Sequence, residues 1–170
     1  MASKTKNDTK ATQDKGADAP VTRQQLIDGL NEDLAREYQA IIAYVVYSQS
    51  IKGAAYMNIK KELEKHAAEE LSHAITIAAQ IDYLGGDIGT VPKTVKTSDE
   101  AKDMLKFDLD NEADTIRAYR VRLKQSESLG EYAISEHIRR ILQQEQEHLT
   151  DLADALGQDP PDLSSSAPSN

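Results

Sequence analysis

Apolar residues recur at alternating steps of three and four along four segments of this 170-residue chain. That spacing places the apolar side chains on one face of an α-helix, so the pattern predicts four amphipathic helices. The predicted apolar faces are Leu30, Leu34, Ile41 and Val45; Ile59, Leu63, Ile77, Ile81 and Leu84; Leu105, Leu109, Ile116 and Leu123; and Ile134, Ile138, Ile141 and Leu152. Because each face must be buried, the sequence predicts an all-α four-helix bundle around one core.

The ends of these helices are predicted from capping residues and glycines. Thr22 followed by Gln25, and Thr97 followed by Glu100, are capping-box pairs that place helix starts near residues 22 and 98. The predicted stops are Gly53, the pair Gly85 and Gly86, Gly130 and Gly157. Four helices of about 25 to 30 residues result.

The connections between the helices predict the topology. Short turns near Gly53 and Gly130 make the helices that they join antiparallel neighbours. The segment from Gly85 to Thr97 contains thirteen residues. Fully extended, it reaches about 43 Å, and a thirty-residue helix is about 45 Å long. We therefore expect parallel second and third helices that are joined by one long crossover.

The two ends of the chain differ from the bundle in composition. Residues 1–20 are small and polar and are predicted to form a disordered N-terminal arm. Residues 158–170 are rich in Ser and Pro and are predicted to be a disordered tail. The folded domain is expected to span residues 21–157.

Composition and charge exclude several classes of function. The chain has no Cys, so it can form neither disulfides nor thiolate metal sites. Its net charge of −9 argues against general binding of nucleic acid or of anionic membranes. No segment has the run of about 18 apolar residues that a membrane helix needs, and no secretory signal is seen. We expect a cytoplasmic protein without a membrane partner.

Polar residues of metal-ligand type interrupt the apolar faces. Each predicted helix has one glutamate on its inward face, and the second and fourth helices add a histidine three residues later. Two tyrosines lie on the same faces. The set comprises Glu37, Glu70, His73, Glu112, Glu145, His148, Tyr44 and Tyr119. A Glu-x-x-His step puts both side chains on one helix face, nearly one turn apart.

Four buried carboxylates need a counter-charge. Burying an unpaired ion costs several kcal/mol, and no Lys or Arg lies on the inward faces to supply one. Two divalent cations would balance the four negative charges, and two neutral imidazoles would complete the coordination. The sequence therefore predicts a di-metal centre, and metal loading is expected to release protons.

An internal repeat supports this prediction. Glu37 and Glu70 are 33 residues apart, as are Glu112 and Glu145, and the two halves are offset by 75 residues. The same offset of 75 relates His73 to His148. The chain thus has the pattern of two copies of one helical hairpin, which would place the ligands around a pseudo-twofold axis.

The motifs resemble those of the bacterioferritin branch of the ferritin-like superfamily. Its di-iron motif is Glu, Glu-x-x-His, Glu, Glu-x-x-His, and here it matches "REYQAIIAY", "EELSHA", "MLKFDLDNEAD" and "ILQQEQEHL" between about residues 22 and 156. The resemblance implies a ferritin-like bundle that holds two Fe ions per subunit. It further implies the residue roles: Glu70 and Glu145 bridge the irons, Glu37 with His73 and Glu112 with His148 each hold one, and Tyr44 hydrogen-bonds a ligand.

Two departures from the bacterioferritin pattern change the expected cofactors and assembly. Leu71 stands where the haem-binding Met would be, so haem is not expected. After Leu156 the chain shows no fifth helix of the kind that helps build a 24-subunit cage. This favours a Dps-like homo-oligomer of twelve subunits.

The resemblance predicts a ferroxidase that stores and detoxifies iron, oxidising Fe(II) with O2 or H2O2 under oxidative stress inside a hollow cage. One alternative is a di-iron or di-manganese peroxidase or catalase without iron storage. Another is Dps-like DNA protection through the lysines of the arm, Lys4, Lys6, Lys10 and Lys15.

Five further residues have open interpretations. His66 is expected to be a core histidine bonded to a neighbour, with a third metal ligand as the alternative. The acids Glu62, Glu69 and Glu147 are predicted to be exposed and would either feed iron mineral or simply be solvated. Tyr119 mirrors Tyr44 and would either hydrogen-bond a ligand or pack in the core.

Overall fold

The structure, a computed structural model, describes residues 20–164. Four helices make up this part of the chain: α1 (Arg23–Ser50), α2 (Met57–Tyr83), α3 (Ala101–Ser128) and α4 (Tyr132–Leu156). A single 3-10 turn, Ala54–Tyr56, joins α1 to α2, and residues 20–164 contain no strand. Helix α1 packs along α2 and α3 packs along α4, which confirms the predicted all-α four-helix bundle.

Of the two predicted capping boxes, one forms and one does not. At α1 the capping box forms, because the Thr22 hydroxyl accepts from the Gln25 amide at 3.2 Å and the Gln25 side chain accepts from the Thr22 amide at 2.9 Å. The capping box predicted at Thr97 is wrong, since the residue preceding α3 is Glu100 and no side chain caps it. Instead, the Ser98 hydroxyl accepts from the Glu100 amide at 3.1 Å, which holds the chain in a turn before the helix begins.

The long crossover between α2 and α3 is confirmed, and it is bonded to α1 along its path. The Asn31 side chain donates to the Asp87 carbonyl at 3.0 Å and accepts from the Gly89 amide at 2.7 Å. Further along, the Lys93 amide donates to the Ala35 carbonyl at 3.0 Å. The crossover therefore lies against the helix that carries Glu37.

The apolar core is divided into two clusters at opposite ends of the bundle. One cluster combines the C-terminal half of α1 with the start of α2, and the other combines the start of α1 with the end of α2. Between them lies a layer of buried polar side chains. Val45 was predicted to be in the core but is 52% exposed, because α1 buries Tyr44 and Tyr47 there instead.

The last helix ends at Gly157, whose backbone is left-handed with φ 69°. Residues 158–164, the described part of the predicted tail, form no helix and return to α3, where the Arg120 guanidinium donates to the Leu163 carbonyl at 2.6 Å. The rest of the predicted tail and residues 1–19 of the predicted arm lie outside the described residues. Among the helices of residues 20–164, none has the length and apolarity that a membrane span requires.

Candidate metal centre

The six residues predicted as metal ligands come together in the polar layer between the two core clusters. Each is 3% exposed or less; they are Glu37, Glu70, His73, Glu112, Glu145 and His148. The placement follows from helix periodicity, because steps of three and four keep these side chains on the faces that also carry the core. One glutamate enters from each helix, and the two histidines enter from α2 and α4.

His73 forms one half of the centre with three carboxylates. Its Nδ1 lies 3.1 Å from Glu70 Oε2, 3.1 Å from Glu145 Oε1 and 3.4 Å from Glu37 Oε2. Donor atoms of these four residues all lie within 4.8 Å of one another. The group has the ligand types and size of a cation site.

His148 forms the other half with two of the same carboxylates. Its Nδ1 lies 2.9 Å from Glu70 Oε1 and 3.5 Å from Glu145 Oε2. Glu112 completes this second group, whose donor atoms also lie within 4.8 Å of one another. Glu70 and Glu145 thus belong to both groups, so the centre consists of two adjacent four-residue cages that share two carboxylates.

Several buried carboxylate oxygens and one imidazole nitrogen of the cages have no hydrogen-bond partner among the described residues. They are Glu37 Oε2, Glu70 Oε1, both carboxylate oxygens of Glu145, and His148 Nδ1. Each of these carboxylate oxygens lies within 3.5 Å of a histidine Nδ1, but without the angles of a hydrogen bond. Each buried, unsatisfied polar group costs about 1–3 kcal/mol, so such atoms are rare unless a ligand satisfies them. Carboxylate oxygen and imidazole nitrogen are donors that suit Fe(II), Mn(II) and Zn(II). The residues therefore fit a pair of divalent metal ions.

The outer nitrogens of the two histidines have different partners. His73 Nε2 donates to Gln144 Oε1 at 3.0 Å, whereas His148 Nε2 donates to the carboxylate of Glu69 at 3.0 Å. These bonds orient both rings so that Nδ1 faces the cages. Residues 69 and 144 are related by the 75-residue repeat, so the internal symmetry is broken here by an amide in place of a carboxylate.

Two tyrosines hydrogen-bond the outermost glutamates, Glu37 and Glu112, which belong to one cage each. The Tyr44 hydroxyl donates to Glu112 Oε1, and the Tyr119 hydroxyl donates to Glu37 Oε1. Burial raises the pKa of both phenols well above the ordinary value, so both hydroxyls keep their protons and remain donors. Tyr119 therefore makes the same kind of contact as Tyr44.

Burial and like charges keep the outermost glutamates protonated when no metal is bound. For Glu37, burial and then the charges of Glu70 and Glu145 raise the pKa well above the ordinary value. The pKa of Glu112 is raised for the same reasons, with burial first and then Glu145 and Glu70. Both shifts favour the protonated, neutral form of these side chains in the metal-free protein.

The two shared carboxylates and the two histidines form the charged part of the centre. Burial favours the neutral forms, but the imidazoles of His148 and His73 outweigh it and lower the pKa of both Glu70 and Glu145. The carboxylates in turn outweigh burial at the histidines, raising the pKa of His148 to about 10 and that of His73 further. These shifts favour protonated imidazoles beside ionised carboxylates in the metal-free centre.

This protonation state predicts proton release on metal binding. Two divalent ions bring four positive charges, and the centre stays neutral only if Glu37, Glu112, His73 and His148 each lose a proton. We expect about four protons per two ions at pH 7, with an affinity that falls as pH falls because protons compete for the ligands. Titration calorimetry with Zn²⁺ in buffers of different ionisation enthalpy measures this number. Release of fewer than two protons would contradict the assignment.

A cavity of about 440 Å³ leads to the centre from the side of α1 and α3. Its wall includes all four glutamates of the cages. Its rim carries four basic residues, namely Arg36, Lys93, Arg117 and Arg122. The cavity can admit a small molecule to the two cages. Each basic residue is paired with a carboxylate: Arg36 and Arg122 with Asp33, Lys93 with Glu32, and Arg117 with Asp114.

The prediction that Glu69 is an exposed acid is wrong, because its side chain is 24% exposed and its carboxylate accepts from His148. Two further polar residues near the centre were not predicted from the sequence. Gln144 bonds His73, and Asp151 lies 3.2 Å from Nε2 of the buried His66. The signal for Gln144 was available, because it occupies the repeat position of Glu69. His66 is bonded to a neighbour, as expected for a core histidine, and its ring stacks on His148 with 4.0 Å between centroids.

Comparison with known proteins is consistent with this geometry. The sequence profile of the ferritin-like domain matches residues 27–160. A bacterioferritin from Desulfovibrio desulfuricans is 31% identical over 127 residues, which cover 74% of this chain and 71% of that protein.

Comparison with solved structures also finds ferritin-like proteins. A ferritin-like, diiron-carboxylate protein from Bacillus anthracis superposes with a TM-score of 0.76 and 32% identity, covering 79% of this chain and 96% of that one. A bacterioferritin-related protein from Bacteroides fragilis, described as a dodecameric thioferritin, has a TM-score of 0.75 and 28% identity, covering 81% and 88%. With the helix topology and the Glu and His motifs described above, these matches show that the chain belongs to the ferritin-like domain family, in its bacterioferritin branch.

Proposed function

We propose that this protein is a ferroxidase that oxidises Fe(II) at the di-metal centre and stores the product as iron mineral. The observation that carries the proposal is the pair of adjacent cages that share Glu70 and Glu145. A single-ion site would need only one such cage. Two ions side by side can supply two electrons together to O2 or H2O2, which avoids one-electron chemistry that releases hydroxyl radical.

Each ligand has a distinct role in the proposed centre. Glu70 and Glu145 belong to both cages and would help to hold both ions. Glu37 and His73 would hold one ion, and Glu112 and His148 the other. Since the cages contain four carboxylates and two neutral imidazoles, their charge of −4 matches two divalent ions.

The tyrosines and the cavity position the reactants. Tyr44 and Tyr119 each donate to one oxygen of the outermost glutamates, which directs the other oxygen towards the cages. The cavity beside α1 and α3 provides access for the small oxidant, O2 or H2O2. The oxidant and Fe(II) are both substrates in this scheme.

Storage requires a hollow assembly of many copies, and we propose a homo-oligomer, with twelve subunits favoured. The Bacteroides fragilis relative is described as dodecameric. Six large hydrophobic side chains on α1 and α2 are exposed in the single chain: Ile42, Val45, Met57, Leu71, Ile75 and Tyr83. Such exposure is expected of a surface that another copy covers. Leu71 lacks the thioether that would bind haem, so the proposed cofactor is iron alone, two ions per subunit.

Iron loading with oxidant consumption tests this function. The metal-free protein is titrated anaerobically with Fe(II), and then O2 or H2O2 is added and the iron retained after gel filtration is measured. We expect two Fe(II) per chain before oxidation and hundreds of iron atoms per assembly after repeated additions. Retention of only two per chain with continued peroxide turnover would instead support a di-metal peroxidase or catalase. Absence of any oxidation would overturn both.

A further inference from the structure

We propose that the hydroxyl of Thr115 binds the small oxidant in the cavity beside α1 and α3 and positions it over the two cages. Thr115 lies on α3 three residues after Glu112, which is nearly one turn further along the same helix face. It lines the cavity together with the four glutamates of the cages. The positioning role rests on the proposed ferroxidase function, because it concerns the oxidant of that reaction.

The Thr115 hydroxyl differs from the other buried hydroxyls in having no partner. Among residues 20–164, four Ser and Thr side chains are buried: Ser48, Thr115, Ser126 and Ser135. The three serines donate to a backbone carbonyl of the preceding helical turn at 2.9–3.0 Å. Thr115 is 8% exposed, and its hydroxyl makes no hydrogen bond with any of the described residues. This hydroxyl is therefore free to bond a molecule that enters the cavity.

The internal repeat indicates that the fold does not need a hydroxyl at this place. The residue 75 positions before Thr115 is Ala40, which lines the same cavity from α1. A methyl group therefore suffices for packing at the corresponding place in the other half of the bundle. Since burial of a hydroxyl that gains no bond from the protein is unfavourable, a bound molecule explains Thr115 better than stability does.

The Thr115 hydroxyl lies where the cavity wall changes from apolar to charged. Among the described residues that line the cavity, Thr115 is the one with a hydroxyl side chain. Further along α3 the wall includes Ala118 and Val121, about 4.5 Å and 9 Å away along the helix axis. In the other direction it includes Glu112 of the cages. A molecule bonded to Thr115 is thus held next to the carboxylates that bind the metal ions.

A hydroxyl group discriminates between the two proposed oxidants. It can donate one hydrogen bond and can also accept. H2O2 has two O–H donors and two acceptor oxygens, so it can form both kinds of bond with Thr115. O2 has no proton to donate and is a weak acceptor. Thr115 therefore holds H2O2 more firmly than O2, and one net hydrogen bond changes a binding equilibrium by about 2- to 10-fold.

The step that Thr115 assists is balanced by the two Fe(II) substrates. One H2O2 accepts one electron from each Fe(II) and takes up two protons from solvent. Its O–O bond breaks, and two Fe(III) ions and two water molecules result. Thr115 is neither oxidised nor deprotonated in this step, and its contribution is to hold the O–O bond beside both cages.

Rates of Fe(II) oxidation in two variants test the positioning role. Thr115→Val keeps the shape of the side chain and removes the hydroxyl. It is expected to raise the KM for H2O2 about 2- to 10-fold and to change the rate with O2 less than about twofold. Thr115→Ser keeps the hydroxyl and is expected to behave as the wild type with both oxidants. Stopped-flow absorbance at two Fe(II) per chain, with the concentration of either oxidant varied, measures these rates.

The matched control is Thr150→Val, which makes the same change on an exposed part of α4. There the Thr150 hydroxyl donates to the Gln146 carbonyl at 2.8 Å, so its loss is expected to leave Fe(II) oxidation at the wild-type rate. Equal slowing of Thr115→Val with both oxidants, or equal slowing of Thr115→Ser, would show an effect of packing and would overturn the inference. An unchanged KM for H2O2 in Thr115→Val would also overturn it.

Crystals of the full chain, loaded with Zn²⁺ and then soaked in H2O2, test binding without turnover, since Zn²⁺ is not oxidised. In the wild type we expect difference density between soaked and unsoaked crystals for a two-atom molecule at hydrogen-bond distance from Thr115 Oγ1. In Thr115→Val we expect none. Equal density in both proteins would overturn the assignment of the hydroxyl as the binding group.

The crystals also separate this inference from the proposed function. Two Zn²⁺ in the cages with no peroxide at Thr115 in the wild type would overturn the inference and leave the ferroxidase proposal standing. Peroxide at Thr115 with no Zn²⁺ in the cages would overturn the ferroxidase proposal and leave the hydroxyl as a binding group of the cavity.

Discussion

Glu145→Gln is expected to abolish binding of a pair of metal ions and to slow Fe(II) oxidation more than about 100-fold. Glu145 is 0% exposed, belongs to both cages, and neither of its oxygens has a hydrogen-bond partner among the described residues. The amide has nearly the same shape but carries no charge and offers only one oxygen. The cages would then hold three carboxylates against the four positive charges of two ions. Titration calorimetry and oxygen consumption measure the two effects.

The control for this substitution is Glu147→Gln, two residues further along α4. Glu147 is exposed and belongs to neither cage, so its loss is expected to leave both binding and oxidation at the wild-type level. Thermal unfolding of both variants shows whether the fold is kept. Two bound ions per chain and an unchanged oxidation rate in Glu145→Gln would show that the shared carboxylates are not bridging ligands.

Glu69→Gln is expected to weaken the ion on the His148 side by about 10- to 100-fold, because partners of a ligating histidine tune metal affinity by that amount. The Glu69 carboxylate accepts from His148 Nε2 at 3.0 Å and makes the imidazole a stronger donor to the metal. His73 has only the neutral Gln144 as its partner. The wild type should therefore bind two ions of one metal with unequal affinity, and Glu69→Gln should bring the two affinities together. Two-step Co(II) titrations followed by visible absorption give both constants.

The internal repeat supplies the matched variant for this experiment. Gln144→Glu gives His73 the carboxylate that His148 already has, and it is expected to strengthen the other ion by a similar factor. Because Glu69 also lies beside His66, Gln144→Glu distinguishes an effect on the ligating histidine from an effect local to residue 69. If neither variant changed either constant, the outer hydrogen bonds would not control affinity.

The metal-ligand set was predictable because helical periodicity and ligand chemistry agree at the same residues. Glu112 and Glu145 interrupt otherwise apolar faces at steps of three and four. Burying a carboxylate is unfavourable unless a counter-charge balances it, so these positions indicate bound cations. The predictions that were wrong, Thr97 as a cap and Val45 in the core, concern positions where a shift of one residue keeps the local pattern nearly unchanged. Ser98 accepts from the Glu100 amide in a turn before α3, and Tyr44 is the buried residue next to Val45.

Contacts between distant parts of the chain were not predictable in the same way. Asp33 on α1 is buried and accepts from Arg122 on α3 at 2.7 Å and from Arg36 at 2.8 Å. Asp33 and Arg122 are 89 residues apart, and no pattern in the sequence predicts this ion pair. Asp151, the partner of His66, was missed for the same reason.

The amino-acid sequence was sufficient to predict four helices, the long crossover and the six candidate ligands, because the regular spacing of apolar residues indicates which side of each helix is buried. The packing of the helices determined the rest: that Tyr44 reaches the glutamate of the other half of the chain, that Glu69 and Gln144 make the two histidines unequal, and that Asp151 meets His66. The physical reason is one of precision. Periodicity locates a side chain to within a turn of its helix, whereas a hydrogen bond or a metal ligand must be placed to within a few tenths of an ångström. That placement is set by residues from separate helices packing together.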